Sequence, residues 1–331
     1  MGVRPVLPPS CALVLACVAG VVTGLLAASA SGTLFPIVSG GKYGFIDVRG
    51  HVALRPAFAD AGEFSESLAP VKVASHWGYV DAQGRVAIRP VFDFAGTFAE
   101  GLALALDGDR FGFIDVRGEW AIPPRFTSAG DFHDGRARVE MAGRWGFIDR
   151  AGTSVVEPQF DSAYDFSEGL AAVRAGTRWG FVDTAGAFVI PPRFVDTYRF
   201  SEGKAWVYSG DAIGYVDRTG AVVIRNPEFQ EAGIFSGGLA WVRVRDKYGI
   251  IDASGTLVVA PRFDLVLPFT EELAGVNVDG KWGFVDRGGR LVIACQYDLV
   301  QPFKGGLAQV TVGDRRGYID GRGETVWAPS R

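Results

Sequence analysis

A glycine returns at 34-residue intervals along this chain. It stands at Gly44, Gly78, Gly112, Gly146, Gly180 and Gly214 and then, after one step of 35, at Gly249, Gly283 and Gly317. The same residue types surround each one, so nine copies of a single unit run from about Thr33 to the C-terminus without a linker. A fixed period of this length means that each unit is one supersecondary element that buries its face against its neighbours. Residues 31–331 therefore read as one repeat domain, although 331 residues would otherwise suffice for two or three.

Within a copy, a segment such as "GLAAVRAG" (169–176) leads into "RWGFVD" (178–183), a turn, and "AFVIPP" (187–192). Three short segments of period two with turns between them describe a three-stranded antiparallel meander. The composition agrees: 45 Gly and 24 Phe suit short strands closed by tight turns better than long helices. Connectors such as "RFVDTYRFSEG" (193–203) carry two aromatics six residues apart, from Phe58/Phe64 to Tyr297/Phe303. A Pro stands two residues before the first aromatic in all but the last connector, where Cys295 replaces it. Lacking an N–H, that Pro is expected to end the strand.

Read as a set, "HWGYVD" (76–81), "RWGFID" (144–149), "RWGFVD" (178–183) and "KWGFVD" (281–286), with "IPPRF" and "FSEGLA", resemble the WG-repeat family of bacterial proteins, also called KWG repeats. The resemblance covers essentially the whole repeat domain. It implies an all-β repeat fold and a role in interactions, and it implies little about activity. The Trp column is the loosest, with Phe111, Ile213 and Arg316 among its occupants.

Every copy also carries an Asp, from Asp47 to Asp320, with a Gly three residues later, from Gly50 to Gly323. Asp at the first and Gly at the fourth position is the preferred chemistry of a type I turn closed by a left-handed residue. The intervening residues vary freely, which a turn tolerates. A calcium loop needs several oxygen ligands within a few residues, and a catalytic carboxylate needs a partner and a pocket. The recurring Asp is accordingly expected to hold the hairpin and not to do chemistry.

The variable positions are more informative about recognition. In "GLAAVRA" Ala171, Val173 and Ala175 share one face, which is core. On the other face one column reads Pro70, Leu104, Arg138, Ala172, Trp206, Trp241, Gly275 and Gln309. Two residues on, Tyr208 and Arg243 follow the two tryptophans. Trp, Tyr and Arg are the types most enriched in interface hot spots. Trp206, Tyr208, Trp241 and Arg243, from successive copies, are therefore the expected recognition patch for a protein partner. Cell-wall glycan bound by exposed aromatics is the alternative.

No metal or catalytic constellation is visible, because His51, His76 and His133 sit at three different repeat offsets. No phosphate loop or nucleophile motif appears, so neither cofactor nor enzymatic activity is expected. A net charge of −4 without basic runs argues against nucleic acid. Residues 1–30 read as a secretory signal peptide: Arg4, then an uncharged stretch from Cys11 to Ala27, then "ASA" at 28–30. Retained, residues 11–30 are just long enough to anchor the chain in a membrane. Removal leaves Cys295 as the one cysteine, so no internal disulfide staples the exported domain. The expected architecture is an open, twisted solenoid of nine three-stranded units, favoured over a closed propeller-like toroid. Thirty-four residues is short for a four-stranded blade, which takes roughly 40–45. The chain also begins with the first strand of a unit and ends after the third.

Overall fold

A computed structural model describes residues 33–330; the expected signal segment, 1–30, lies outside them. The described residues contain no helix and form nine antiparallel sheets in chain order. The first holds β1 (Phe35–Ser39), β2 (Lys42–Ile46) and β3 (Val52–Phe58). The second adds a fourth strand, with the order β4 (Asp60–Ala61), β5 (Leu68–Val73), β6 (His76–Asp81) and β7 (Val86–Phe92). The remaining seven sheets repeat this four-stranded order, ending with the sheet at 299–330.

The expectation of three-stranded units is thus corrected in eight of the nine sheets. The added strand is made by the connector and is only two residues long in seven of those sheets, too short to show any period in sequence. It is also why 34 residues suffice for four strands. The conserved-looking Pro does not end its strand either. β3 continues through Pro56 to Phe58, and its register against β2 passes from Phe45↔Leu54 to Tyr43↔Phe58, so four residues of β3 span two of β2. This bulge brings backbone over the repeat glycine. A Cβ on Gly44 would lie 2.6 Å from Leu54 O and 2.6 Å from the Pro56 nitrogen, and the same clash recurs at Gly146 and Gly180. Glycine is required there by close backbone approach, and a proline nitrogen fits a bulge where no ladder hydrogen bond is made.

The Asp turns form as the spacing predicts. In all nine, the Gly N–H donates to the Asp carbonyl, as Gly152 does to Asp149 at 2.9 Å, and the Gly takes a positive φ of 76–87°. Each Asp carboxylate accepts two further backbone N–H bonds, for example from Ala151 and Thr153 to Asp149 Oδ1, both at 2.9 Å.

The sheets close into a ring, a nine-bladed β-propeller, which overturns the open solenoid. Blade 9 packs directly on blade 1: the Phe35 and Tyr318 rings lie 5.6 Å apart, and Phe35, Ile37, Ile46, Leu307 and Tyr318 form one buried cluster. Tyr318 OH donates to Pro36 O at 2.8 Å, and Ser330 Oγ donates to Val38 O at 2.5 Å. Every turn glycine sits over the last strand of the preceding blade. Gly118 faces Ile88, Gly186 faces Val156, and across the closure Gly50 faces Val326. No strand is shared between the chain ends, so starting and stopping at a unit boundary does not prevent closure.

The core lies between blades. The aromatic two places after the Trp position meets the second connector aromatic of the next blade, as in Phe147–Phe166 at 4.7 Å and Phe181–Phe200 at 4.8 Å. These are edge-on contacts between fully or nearly fully buried rings. The fourth strands carry one buried residue in each exposed pair or triplet and form the outer rim. The short strands lie at the inner edge, where connector side chains of adjacent blades touch: the Tyr164 and Tyr198 rings are 4.8 Å apart.

Candidate functional site

The second strand of each blade runs beside the inner edge, and the four residues singled out for recognition stand there. Trp206 and Tyr208 lie on Lys204–Tyr208 of blade 6, and Trp241 and Arg243 lie on Leu239–Val244 of blade 7. Their registers are equivalent, Trp206 facing Tyr215 and Trp241 facing Ile250 across the ladder. All four are half-buried.

Each tryptophan leans on the following blade. Trp206 packs against a cluster that includes Tyr215, Phe229, Ala232 and Phe235. Trp241 packs against one that includes Val266, Phe269 and Val276, and its ring meets Tyr248 edge-on at 5.4 Å. Its indole also fills the space over Gly233, where a Cβ would lie 2.4 Å from Nε1. Among the described residues no ring contact joins Trp206 to Trp241. Each ring thus presents one face to the core and leaves the remainder open.

Arg243 is held within blade 7. Its Nη1 donates to Glu231 Oε1 and its Nη2 to Asp246 Oδ1, both at 2.8 Å, and its guanidinium lies 5.9 Å from the Tyr248 ring centre. Tyr248 OH donates to Glu231 Oε2 at 2.5 Å. Burial, reinforced by that carboxylate, pushes the Tyr248 hydroxyl well above its ordinary range. Tyr208 donates to Gly210 O at 2.8 Å. The patch is therefore a braced surface, with its charge already partnered.

Two sets of polar residues escaped the sequence reading. The acids of "FSEG" link one blade to the next: Glu66 accepts from Gly101 N–H at 2.9 Å, Asp134 from Gly169 at 2.7 Å and Glu168 from Gly203 at 2.9 Å. The basic residue before the Trp position pairs with a connector Asp of the next blade, as Arg144 does with Asp161, Lys247 with Asp264 and Lys281 with Asp298. Both recur at fixed spacing, which was the available signal, but the first set's partners lie one repeat away and the second set's half a repeat away, in both cases on the next blade. The histidines stay apart: His51 contacts Asp47 in its own turn and His76 contacts Ser75. Among the described residues no three His, Cys, Asp or Glu side chains are grouped to hold a metal. Cys295 is half-buried, and burial raises its thiol pKa. None of the described residues forms a helix long and apolar enough to cross a membrane.

Comparison with known proteins agrees with this architecture. The WG-containing repeat model matches at 43–74, 77–110, 111–145, 145–176, 179–211, 213–248, 248–282 and 282–315. No curated protein matches the sequence. Among solved structures, a eukaryotic initiation factor is similar with a TM-score of 0.64 at 10% identity, covering 89% of this chain and 95% of its own. Dihydro-heme d1 dehydrogenase NirN in complex with DHE gives 0.46 at 13% identity, covering 90% of this chain and 73% of its own. Kluyveromyces lactis Hsv2p gives 0.45 at 10%, covering 70% and 93%. At such identity the first likeness concerns the fold alone. Eight matched copies across 43–315, on a ring whose Gly bulge and Asp turn repeat blade after blade, place this chain in the WG-repeat family.

Proposed function

We propose that the chain is a non-enzymatic, exported scaffold that holds a protein partner on the inner surface of blades 6 and 7. One observation carries this reading: the polar residues that recur are consumed in holding the ring together, while the residues that differ between blades collect beside the inner edge. The nine turn carboxylates each accept backbone N–H bonds, and the hairpin acids bridge blades. Half-buried Trp206, Tyr208 and Trp241 offer rigid aromatic surface at little entropic cost, the property that concentrates binding energy in interfaces. Export rests on the character of residues 1–30.

The test is capture from an envelope extract by the immobilised full chain. Saturable retention of a protein is expected, reduced by Y208A and lost in W206A/W241A. Circular dichroism at the assay temperature shows whether each variant keeps the ring, since both tryptophans also support the core. Undiminished capture by both variants would contradict the assignment of the surface. Retention on purified peptidoglycan in place of any protein would replace the partner class with glycan.

A further inference from the structure

The inner wall of blades 3–5 carries an open cavity of about 350 Å³, lined by residues that include Phe94, Thr97, Leu104, Asp131, Arg138 and Asp165. Its charges do not balance. Arg138 is committed to one side, with Nε donating to Asp165 Oδ1 at 2.7 Å and Nη1 to Ala163 O at 3.0 Å, and its guanidinium lies 5.0 Å from the Trp145 ring centre. Gly130 makes room for that pairing, since a Cβ there would lie 2.2 Å from Asp165 Oδ1 and 2.6 Å from Arg138 Nε. Asp131, half-buried in the same cavity, accepts no hydrogen bond among the described residues. Burial first, and the neighbouring Asp165 charge second, hold its carboxyl above the usual range, against a smaller opposing pull from His133 and Arg138.

The feature belongs to this arc of the ring. The position of Asp131 is occupied by Thr97 and Asp165 in the flanking blades, and by Ile234, Pro268 and Pro302 in blades 7–9. The opposite wall is apolar: Phe94 is half-buried beside Leu104, its ring edge-on to Phe111 at 6.4 Å. A carboxylate whose one neighbouring guanidinium, Arg138, is already hydrogen-bonded to Asp165, opposite an aromatic ring and an aliphatic side chain, fits a cation on an alkyl arm. The volume admits one long side chain and excludes a folded element.

We infer that this cavity receives a basic side chain, arginine or lysine, of the protein partner, its charge on Asp131 and its methylenes on Phe94 and Leu104. The identity of the donor rests on the scaffold reading; the chemistry of the cavity does not. The test is calorimetric titration of the full chain with N-acetyl-arginine methylamide, its neutral citrulline counterpart, and spermidine. Saturable binding of the arginine derivative is expected, with none for citrulline. D131N should weaken it at least about tenfold, because a partly desolvated ion pair loses its counter-charge. D211N, which removes an exposed carboxylate paired with Arg225 on blade 6, should leave binding unchanged. The thermal midpoint of D131N should not fall, since no hydrogen bond is lost, and this separates a binding role from a structural one. Equal affinity in D131N, or equal affinity for citrulline, overturns the inference. Spermidine bound more tightly than the arginine derivative overturns the assignment to a protein side chain. If envelope-extract capture is undiminished in D131N, the docking role falls and the scaffold reading stands. If the wild type captures no protein, the scaffold reading falls and the titration still decides what the cavity takes.

Discussion

The junction between blades 5 and 6 and the seam between blades 9 and 1 perform the same task with different residues. At the ordinary junction Phe181 meets Phe200 of the next connector, Ser167 Oγ donates to Phe200 O at 2.9 Å, and Glu168 accepts from Gly203 N–H. The seam has none of these, and blade 9's hairpin carries Lys304, Gly305 and Gly306 where an acid would stand. What fills the space is Phe35. Its column holds Ala69, Ala103, Ala137, Ala171, Ala205, Ala240, Ala274 and Ala308 in the other eight blades. A ring brought in on β1, the equivalent of the second strand in the other blades, takes the place of the ring that a connector would bring. Tyr318 and Ser330 cap the carbonyls of Pro36 and Val38. In blade 2 the equivalent carbonyls, of Pro70 and Lys72, take Gly62 and Ala59 N–H groups from the connector. The physical requirement is a filled volume beside the third-strand aromatic and satisfied carbonyls on the second strand. The covalent connector is one way of meeting it.

Truncating the ring at each place separates the two arrangements. F35A and F200A should each cost about 3–5 kcal/mol in denaturant unfolding, as expected of a buried Phe. Only F35A should also enlarge the hydrodynamic radius before unfolding, since no chain tethers blade 9 to blade 1. Next in size is G180A, which places a Cβ 2.5 Å from Ile190 O at a bulge that recurs in every blade but the sixth. Overpacking against backbone should cost about 1–3 kcal/mol without opening the seam. Removing single hydroxyls sharpens the comparison further. Y318F at the seam and Y215F, which loses a 2.8 Å bond to Gly233 O, should each cost about 0.5–1.5 kcal/mol.

Acid provides the smallest and most selective perturbation. Hydrogen bonds hold six turn carboxylates below their ordinary value, among them Asp217 by the Thr219 hydroxyl, Asp252 by the Ser254 hydroxyl, and Asp286 by the Arg290 N–H and guanidinium. A folded-state value below the unfolded one stabilises above the unfolded pKa, near 4, and that stability is lost as pH falls through the folded values. The thermal midpoint should therefore decline gently below about pH 4. D252N should flatten part of that decline, measured by calorimetry from pH 6 to pH 2.5. Seam contacts through Phe35, Tyr318 and Ser330 carry no charge and should not contribute to it.

Much of this was legible in the residues, and the failures have physical causes. The period gave the nine units, and Asp149 with Gly152 gave the turn, because turn chemistry is local. Gly146 announced a close backbone approach, though not that a bulged strand carrying Pro158 supplies it. The pair Ser162–Ala163, a complete strand in the fold, is too short to leave any pattern. Closure is a contact between the two ends of the chain, and local pattern is silent about it. Its signal was nonetheless present, as one Phe in a column of alanines. Trp206 and Trp241 were found as departures from the repeat, but period-two alternation does not reveal that the short connector strand braces their strands from the inner side.

The ring itself is tested most directly by the distance between its first and last blades. Spin labels at Val48 and Glu324, both exposed, flank the contact of Gly50 with Val326 and can be placed in a background with Cys11, Cys17 and Cys295 each replaced by Ala. Closure predicts one narrow distribution at the short end of the range measurable by double electron–electron resonance, broadened by F35A. A long separation, with the end blades as far apart as any two in the molecule, would contradict it.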